Sequence, residues 1–314
     1  MMLQKFSYMD GILSSDSGDP NLFVYVVPAE DEIAYLLDKQ GLDRHNLDSA
    51  MDPDELGRVE TEEDHVFIVL KRPKNYSSSD NFLFKISSAG IFFHPDKVIL
   101  IVPEKIDFTD ISNARKYPDT TGLMLRFLLN ATNHFLGHLK VMTMILQSIE
   151  ERMAENITGA KVDNEKHLHI YSLEKSLIYY ANGISSNQIV LEKLRGLSGK
   201  LRLTEEYIAF LDDIIIENDQ CKKLTETISK IVGALTRTRE TIANNKLNTV
   251  MKRLTIITTV FMPLSVITGF FGMSEYSAIA GGVSWWFITY PAFVILLSSI
   301  GLLTYRYFKK RGWT

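Results

Sequence analysis

The chain has 314 residues, 23% of them charged, with a net charge of −4 and one cysteine, Cys221. That length holds a sizeable core and as many as two domains; a single cysteine excludes an intrachain disulfide and a cysteine-rich zinc site and agrees with a reducing compartment. So mild a charge, with no long basic tract away from the C-terminal apolar region, argues against nucleic acid as a partner.

In chain order, the amino-terminal MMLQKFSYMDGILSS lacks the uninterrupted apolar core of a secretory signal. The region before the apolar C-terminal part is therefore expected to stay on the cytoplasmic side. From about residue 20 to 105 short apolar runs, LFVYVV (22–27), HVFIVL (65–70), GIFFHP (90–95) and KVILIVPE (97–104), alternate with charged or Gly/Pro/Ser-bearing connections. This pattern predicts a cytoplasmic α/β domain over 1–120. The acidic segments AEDEI (29–33) and ETEEDH (60–65) read as solvated faces.

After Pro118 the strand signal ends, and 122–153 reads as one long helix with Gly137 its only weak point. Turn residues in NITGAKVDNEK (156–166) separate it from a second helix over 167–197, expected to run antiparallel to the first. From Thr204 to Thr258 there is no proline and only one glycine, Gly233. One helix then continues from the helical region (121–253) into the first apolar span, on the order of 80 Å at 1.5 Å per residue. So long a helix is expected to pack against copies of itself, because helices gain most of their stability from burying an apolar face.

Between Arg253 and Glu275, and again from Tyr276 to Tyr305, no residue is charged. Each stretch is long enough to cross about 30 Å of hydrocarbon as a helix. The expected boundaries are a first transmembrane helix at 254–274, an external loop at 275–284, a second transmembrane helix at 285–307 and a basic cytoplasmic tail at 308–314. Lys252 and Arg253 before the first span, and Arg306, Lys309, Lys310 and Arg311 at the end of the second, place both termini in the cytoplasm. Trp285, Trp286 and Tyr290 suit the outer headgroup level.

Along the long helix, Asn248, Met251, Leu254 or Thr255, Thr258, Met262 and Ser265 recur every three or four residues and so share one face. Polar groups turned to lipid cost free energy, which favours a water-containing interior or a helix interface. The other reading, in which the Thr and Ser hydroxyls bond to carbonyls of their own helix, stays open. Pro263 deprives the carbonyl of Thr259 of its usual amide partner. The span then ends in Gly272, Met273 and Ser274, followed by Glu275.

VMKRLTIITTVFMPLSVITGFFGM, a short loop, a second span and the tail YFKKRGWT together resemble the CorA family of divalent-cation channels, whose signature is Gly-Met-Asn at the outer end of the first span. MDPDELGRVETEEDHVFIVL is similar to the family's Asp-Pro segment before a core strand. The resemblance implies a funnel-shaped homopentamer in the cell inner membrane, with a stalk helix from each subunit lining the pore and the second span forming an outer ring. It places Asn248, Met251, Leu254, Thr258, Met262 and Ser265 along the pore, with Met251 and Leu254 at its hydrophobic constriction. It also places Asp213 at a regulatory metal position that gates the channel from the cytoplasm.

Two departures stand out. Ser274 replaces the filter asparagine, whose amide oxygens suit hydrated Mg²⁺, and Glu275 either supplies a ring of carboxylates at the mouth or is simply solvated. Arg237 lies where the family can carry a pore-facing aspartate; either the face is rotated there or Glu240 compensates. Three functions are weighed: a Mg²⁺ or related divalent-cation channel, a proton-coupled transporter of Zn²⁺, Co²⁺ or Ni²⁺, and a non-conducting, membrane-anchored metal sensor. The pairs His134/His138 and His167/His169 lack carboxylates or cysteines at ligand spacing and read as helix-surface histidines. The acidic tip SIEERMAENI (148–157) either approaches the basic tails or is solvated, and no P-loop, GxSxG or HExxH motif marks an enzyme.

Overall fold

The computed structural model describes residues 2–9, 12–14, 20–76, 82–106, 117–155, 164–272 and 286–310. They fall into two compact units, Met1–Leu235 and Thr236–Thr314.

In the first unit, seven strands among the described residues form one sheet: β1 (Met2–Met9), β2 (Ile12–Ser14), β3 (Leu22–Val26), β4 (Arg58–Thr61), β5 (Val66–Pro73), β6 (Ile86–Phe93) and β7 (Val98–Val102). The order is β2-β1-β3-β7-β6-β5-β4, with β3 and β7 parallel and every other pair antiparallel. The central strands are near-continuous apolar runs because both faces are covered. Alternate residues serve opposite layers. Ile68, Leu70, Ile91 and Leu100 pack with Leu123, Leu194 and Ile214, whereas Phe67, Val69, Phe92 and Ile101 pack with Leu36, Leu47 and Ala50.

Two short helices, α1 (Glu30–Asp38) and α2 (Arg44–Met51), supply the second of these layers. The acidic run at 29–33 is thus a helix start. Glu30, Asp31 and Glu32 occupy the first turn, where the helix dipole favours negative charge, and the Ala29 N–H donates to Glu32 Oε2 at 3.0 Å. The run at 60–65 is not uniformly solvated either: Glu60 pairs with Arg58 at 3.1 Å, and His65 is buried. At Gly90 an added Cβ would lie 2.3 Å from the Ala50 Cβ, so α2 rests directly on β6.

The opposite layer consists of α3 (Thr120–Glu155), α4 (Asn164–Gly196) and the first part of α5 (Glu205–Phe271). Asp119 starts α3 by accepting the Gly122 N–H at 2.8 Å. Thr204 starts α5, its carbonyl accepting the Ile208 N–H at 3.0 Å. The pairing of β4 with β5 stops at Arg58 opposite Val69. Beyond it, the buried Asn187 of α4 takes the place of a strand, accepting the Lys71 N–H at 2.7 Å and donating to the Lys71 carbonyl at 2.8 Å. Farther out, Phe135, Leu139, Leu177, Tyr180, Cys221 and Ile228 form a separate core between the three helices.

The second unit holds the rest of α5 and α6 (Trp286–Lys310). Both helices are long and apolar enough to cross a membrane. Ile256 is buried, and Val260, Leu264 and Ile267 are partly so. A Cβ added at Gly301 would sit 3.8 Å from Leu264 Cδ1, so α6 lies against this side of α5.

Candidate functional site: a polar stripe on the long helix

At about 100° of rotation per residue, Asn248, Met251, Leu254, Thr255, Thr258, Met262 and Ser265 fall within an arc of about 120°. Ile256, Val260, Leu264 and Ile267 occupy an arc of about 80° whose centre lies on the opposite side of the helix. The contact with α6 therefore turns the stripe away from α6. All seven stripe residues are exposed, with Met251, Leu254 and Met262 at 53%, 55% and 67%. Such exposure leaves three large apolar side chains without cover from their own chain.

The two threonine hydroxyls of the stripe have a fixed polarity. Thr255 Oγ1 donates to the Met251 carbonyl at 2.8 Å and Thr258 Oγ1 to the Leu254 carbonyl at 2.9 Å. Intrahelical bonding is therefore present, but it does not exclude an outward role. A hydroxyl has one proton, and once that proton is committed inward only acceptor lone pairs remain to face outward. A surface of acceptors attracts cations or the hydrogens of their hydration water.

Toward the amino-terminal end of the same unit, Arg237 and Glu240 are exposed and fall in the stripe's arc. The helix continues unbroken from Glu205 to Phe271, so no rotation of the face removes Arg237. Glu240, one turn along the helix, lies on the same side as Arg237. At the other end, Gly272 donates its N–H to the Thr268 carbonyl at 3.0 Å. Met273, Ser274 and Glu275 lie outside the described residues, as do Trp285 and the loop before it.

In the first unit, Asp213 is exposed on α5 and, among the described residues, has no ion-pair partner. Its neighbour Asp212 is engaged instead, bonded by Arg195 Nε at 2.6 Å. Asp213 is thus the carboxylate of the pair left open to an external cation.

The expectation that His134 and His138 are surface residues does not hold. Both are partly buried, their rings 4.5 Å apart edge to face, and His138 Nδ1 lies 2.6 Å from the Tyr180 hydroxyl. Desolvation lowers the pKa of each from 6.5 to about 4, so both rings are neutral at physiological pH. His169 packs edge-on against Phe82, ring centroids 4.4 Å apart. A different pair is brought together, His65 and His94, which stand in the sequence only as the ends of apolar runs. The pairing of β5 with β6 makes them neighbours.

A family model described as CorA-like Mg²⁺ transporter protein matches residues 22–310. The cobalt/magnesium transport protein CorA of Methanocaldococcus jannaschii is 24% identical over 91% of this chain and 89% of its own. The protein of the same description from Thermotoga maritima is 27% identical over 82% and 72%. Among solved structures, the complete CorA magnesium transporter of Methanocaldococcus jannaschii superposes with a TM-score of 0.78 at 20% identity, covering 100% of both chains.

Proposed function

The chain belongs to the CorA-like Mg²⁺ transporter family, and from that premise we propose that it is a homopentameric channel passing Mg²⁺, or a related divalent cation, into the cytoplasm. Its relatives are named for transport of cobalt and magnesium, and transport rather than enzyme chemistry is the activity of the family.

The observation that carries this reading is the placement of the stripe. The side of α5 that meets α6 is taken, and the opposite side carries Asn248, Thr258 and Ser265 among exposed Met251, Leu254 and Met262. Five copies of that face around an axis enclose a path lined with hydroxyl and amide groups, narrowed by rings of Met251 and Leu254. Within this reading the membrane helices span 254–274 and 285–307, joined by the outer loop 275–284. The domain at 1–120 and the helical region at 121–253, like the tail at 308–314, lie in the cytoplasm at the inner membrane.

Mg²⁺ sheds its hydration shell reluctantly and is held through its waters. Lone pairs from Thr258 and the Asn248 amide accept hydrogens from those waters without stripping them. Toward the outer mouth the sequence Gly272-Met273-Ser274 ends in a hydroxyl shorter than an asparagine amide, and the carboxylate of Glu275 adds negative charge that attracts divalent ions. An inside-negative potential supplies about 2.3 kcal/mol per charge per 100 mV, so entry needs no further energy source. Closing the pore falls to cytoplasmic Mg²⁺ at Asp213, the carboxylate its neighbour's ion pair leaves open.

Flux into liposomes bearing the purified protein tests this directly, comparing Mg²⁺, Zn²⁺, Co²⁺ and Ni²⁺ with and without a proton gradient. Mg²⁺ entry driven by voltage alone is expected, with the ion preference altered by Ser274→Asn. Transition-metal uptake that requires the proton gradient would replace the channel with a carrier, and absence of flux for every ion would leave a metal-sensing scaffold.

A further inference from the structure

The first unit contains a cluster of metal-ligating side chains far in sequence from the stripe. In the register of β5 and β6, Val66 stands opposite Phe93. One step beyond that pair, where the strands end, His65 stands opposite His94. Their rings stack with centroids 4.9 Å apart and planes at 28°. Both residues are more than nine-tenths buried, at 7% and 5% exposure, and the Nε2 of each has no hydrogen-bond partner.

Two orphaned imidazole nitrogens side by side are costly unless something meets them, because a buried polar atom without a partner forfeits its hydration. Neither can satisfy the other through a shared proton without a hydrogen bond, and no such bond is present. A ligand that accepts two nitrogen lone pairs removes both deficits at once.

The third member identifies the ligand. Asp64 Oδ1 lies 2.7 Å from His65 Nδ1, while the Asp64 side chain is 71% exposed. A carboxylate on one ring nitrogen fixes the tautomer, with the proton on Nδ1 and the lone pair on Nε2. It is the support that metal-binding histidines commonly have. Each of the three side chains places a ligand-capable atom within 4.8 Å of the other two, the only such group among the described residues.

We propose that Asp64, His65 and His94 form a binding site for a borderline divalent transition-metal ion, Co²⁺, Ni²⁺ or Zn²⁺, held by the two buried imidazoles, with Asp64 orienting His65 and giving access from water. The donor set decides the class. Imidazole nitrogen suits these ions, whereas Mg²⁺ takes oxygen ligands and keeps its waters. The bound ion ties the turn before β5 to the turn after β6 and is separate from the ions that pass along α5.

The test uses full-length protein in detergent, stripped with a chelator and titrated with Co²⁺ in excess Mg²⁺. Binding is followed by equilibrium dialysis, and the ligands are identified by X-ray absorption of the bound cobalt. Wild-type protein is expected to hold one Co²⁺ per chain that Mg²⁺ does not displace, with imidazole in its ligand shell. His94→Leu abolishes that ion, and Asp64→Asn, a change at an exposed position that leaves folding intact, weakens it about 10–100-fold. Equal uptake by wild type and both variants would overturn the assignment, as would a bound ion without imidazole ligands or one displaced by Mg²⁺. If His94→Leu fails to fold, the Asp64→Asn titration and the wild-type absorption spectrum decide alone. Because the readout is binding, failure here leaves the channel reading untouched, and failure of flux leaves this site untouched.

Discussion

Single residues in the first unit carry loads that can be measured one at a time. His134 and His138 are neutral in the fold, with pKa lowered by burial to about 4 against 6.5 when unfolded. Between those values the unfolded chain binds more protons than the folded one, so stability falls with falling pH. The contribution is intact above pH 6.5 and is lost progressively down to about pH 4. Since both rings are partly exposed, about 1 kcal/mol per ring is expected after screening. Thermal unfolding from pH 7 to 4.5 should show this slope, and His134→Phe should flatten it; an unchanged slope would place the titration elsewhere. Asn187 is a second case. Asn187→Leu leaves the Lys71 N–H and carbonyl buried without partners, and a loss of about 2–4 kcal/mol is expected in denaturant unfolding.

At the scale of elements, legibility followed local pattern. LFVYVV, HVFIVL and KVILIVPE are strands because buried central strands are continuous apolar runs, a signal that a short window contains. β1 is not legible in the same way. Its sequence MLQKFSYM mixes Gln4, Lys5 and Ser7 with apolar residues, and it is completed by a distant partner, Asn21, which accepts the Tyr8 N–H and donates to the Tyr8 carbonyl. The His65–His94 pair was hidden for a similar reason: 29 positions separate them, and only the register of β5 with β6 brings them together. α5 was legible throughout, since the absence of helix breakers over a long stretch is itself a sequence property. That Asp213 is the open carboxylate and Asp212 the engaged one depends on Arg195 of α4, a contact the sequence does not announce.

The same scale sets expectations for α5. Thr258→Val keeps the side chain's shape but removes the outward lone pairs, so flux should fall while the unfolding temperature stays unchanged. In the proposed pore Met251 and Leu254 form the apolar constriction, so replacing both by serine should raise leak several-fold at Mg²⁺ concentrations proposed to close the channel. Unaltered flux in both variants would remove these residues from the conduction path.

For the whole molecule, everything turns on whether the uncovered side of α5 lines a water-filled path. Native Cys221 favours a direct measurement, because it is the only cysteine, is buried, and has its pKa raised by desolvation to about 11, which leaves it inert to thiol reagents. Single cysteines would be placed at Thr258 and Met262 on the stripe and at Ile256 and Leu264 on the side against α6, and Mg²⁺ flux into liposomes followed as a charged, membrane-impermeant thiol reagent is added. Block at 258 and 262 with flux preserved at 256 and 264 is the predicted result. Block confined to 256 and 264, or no flux before the reagent is added, would contradict a pore lined by this helix.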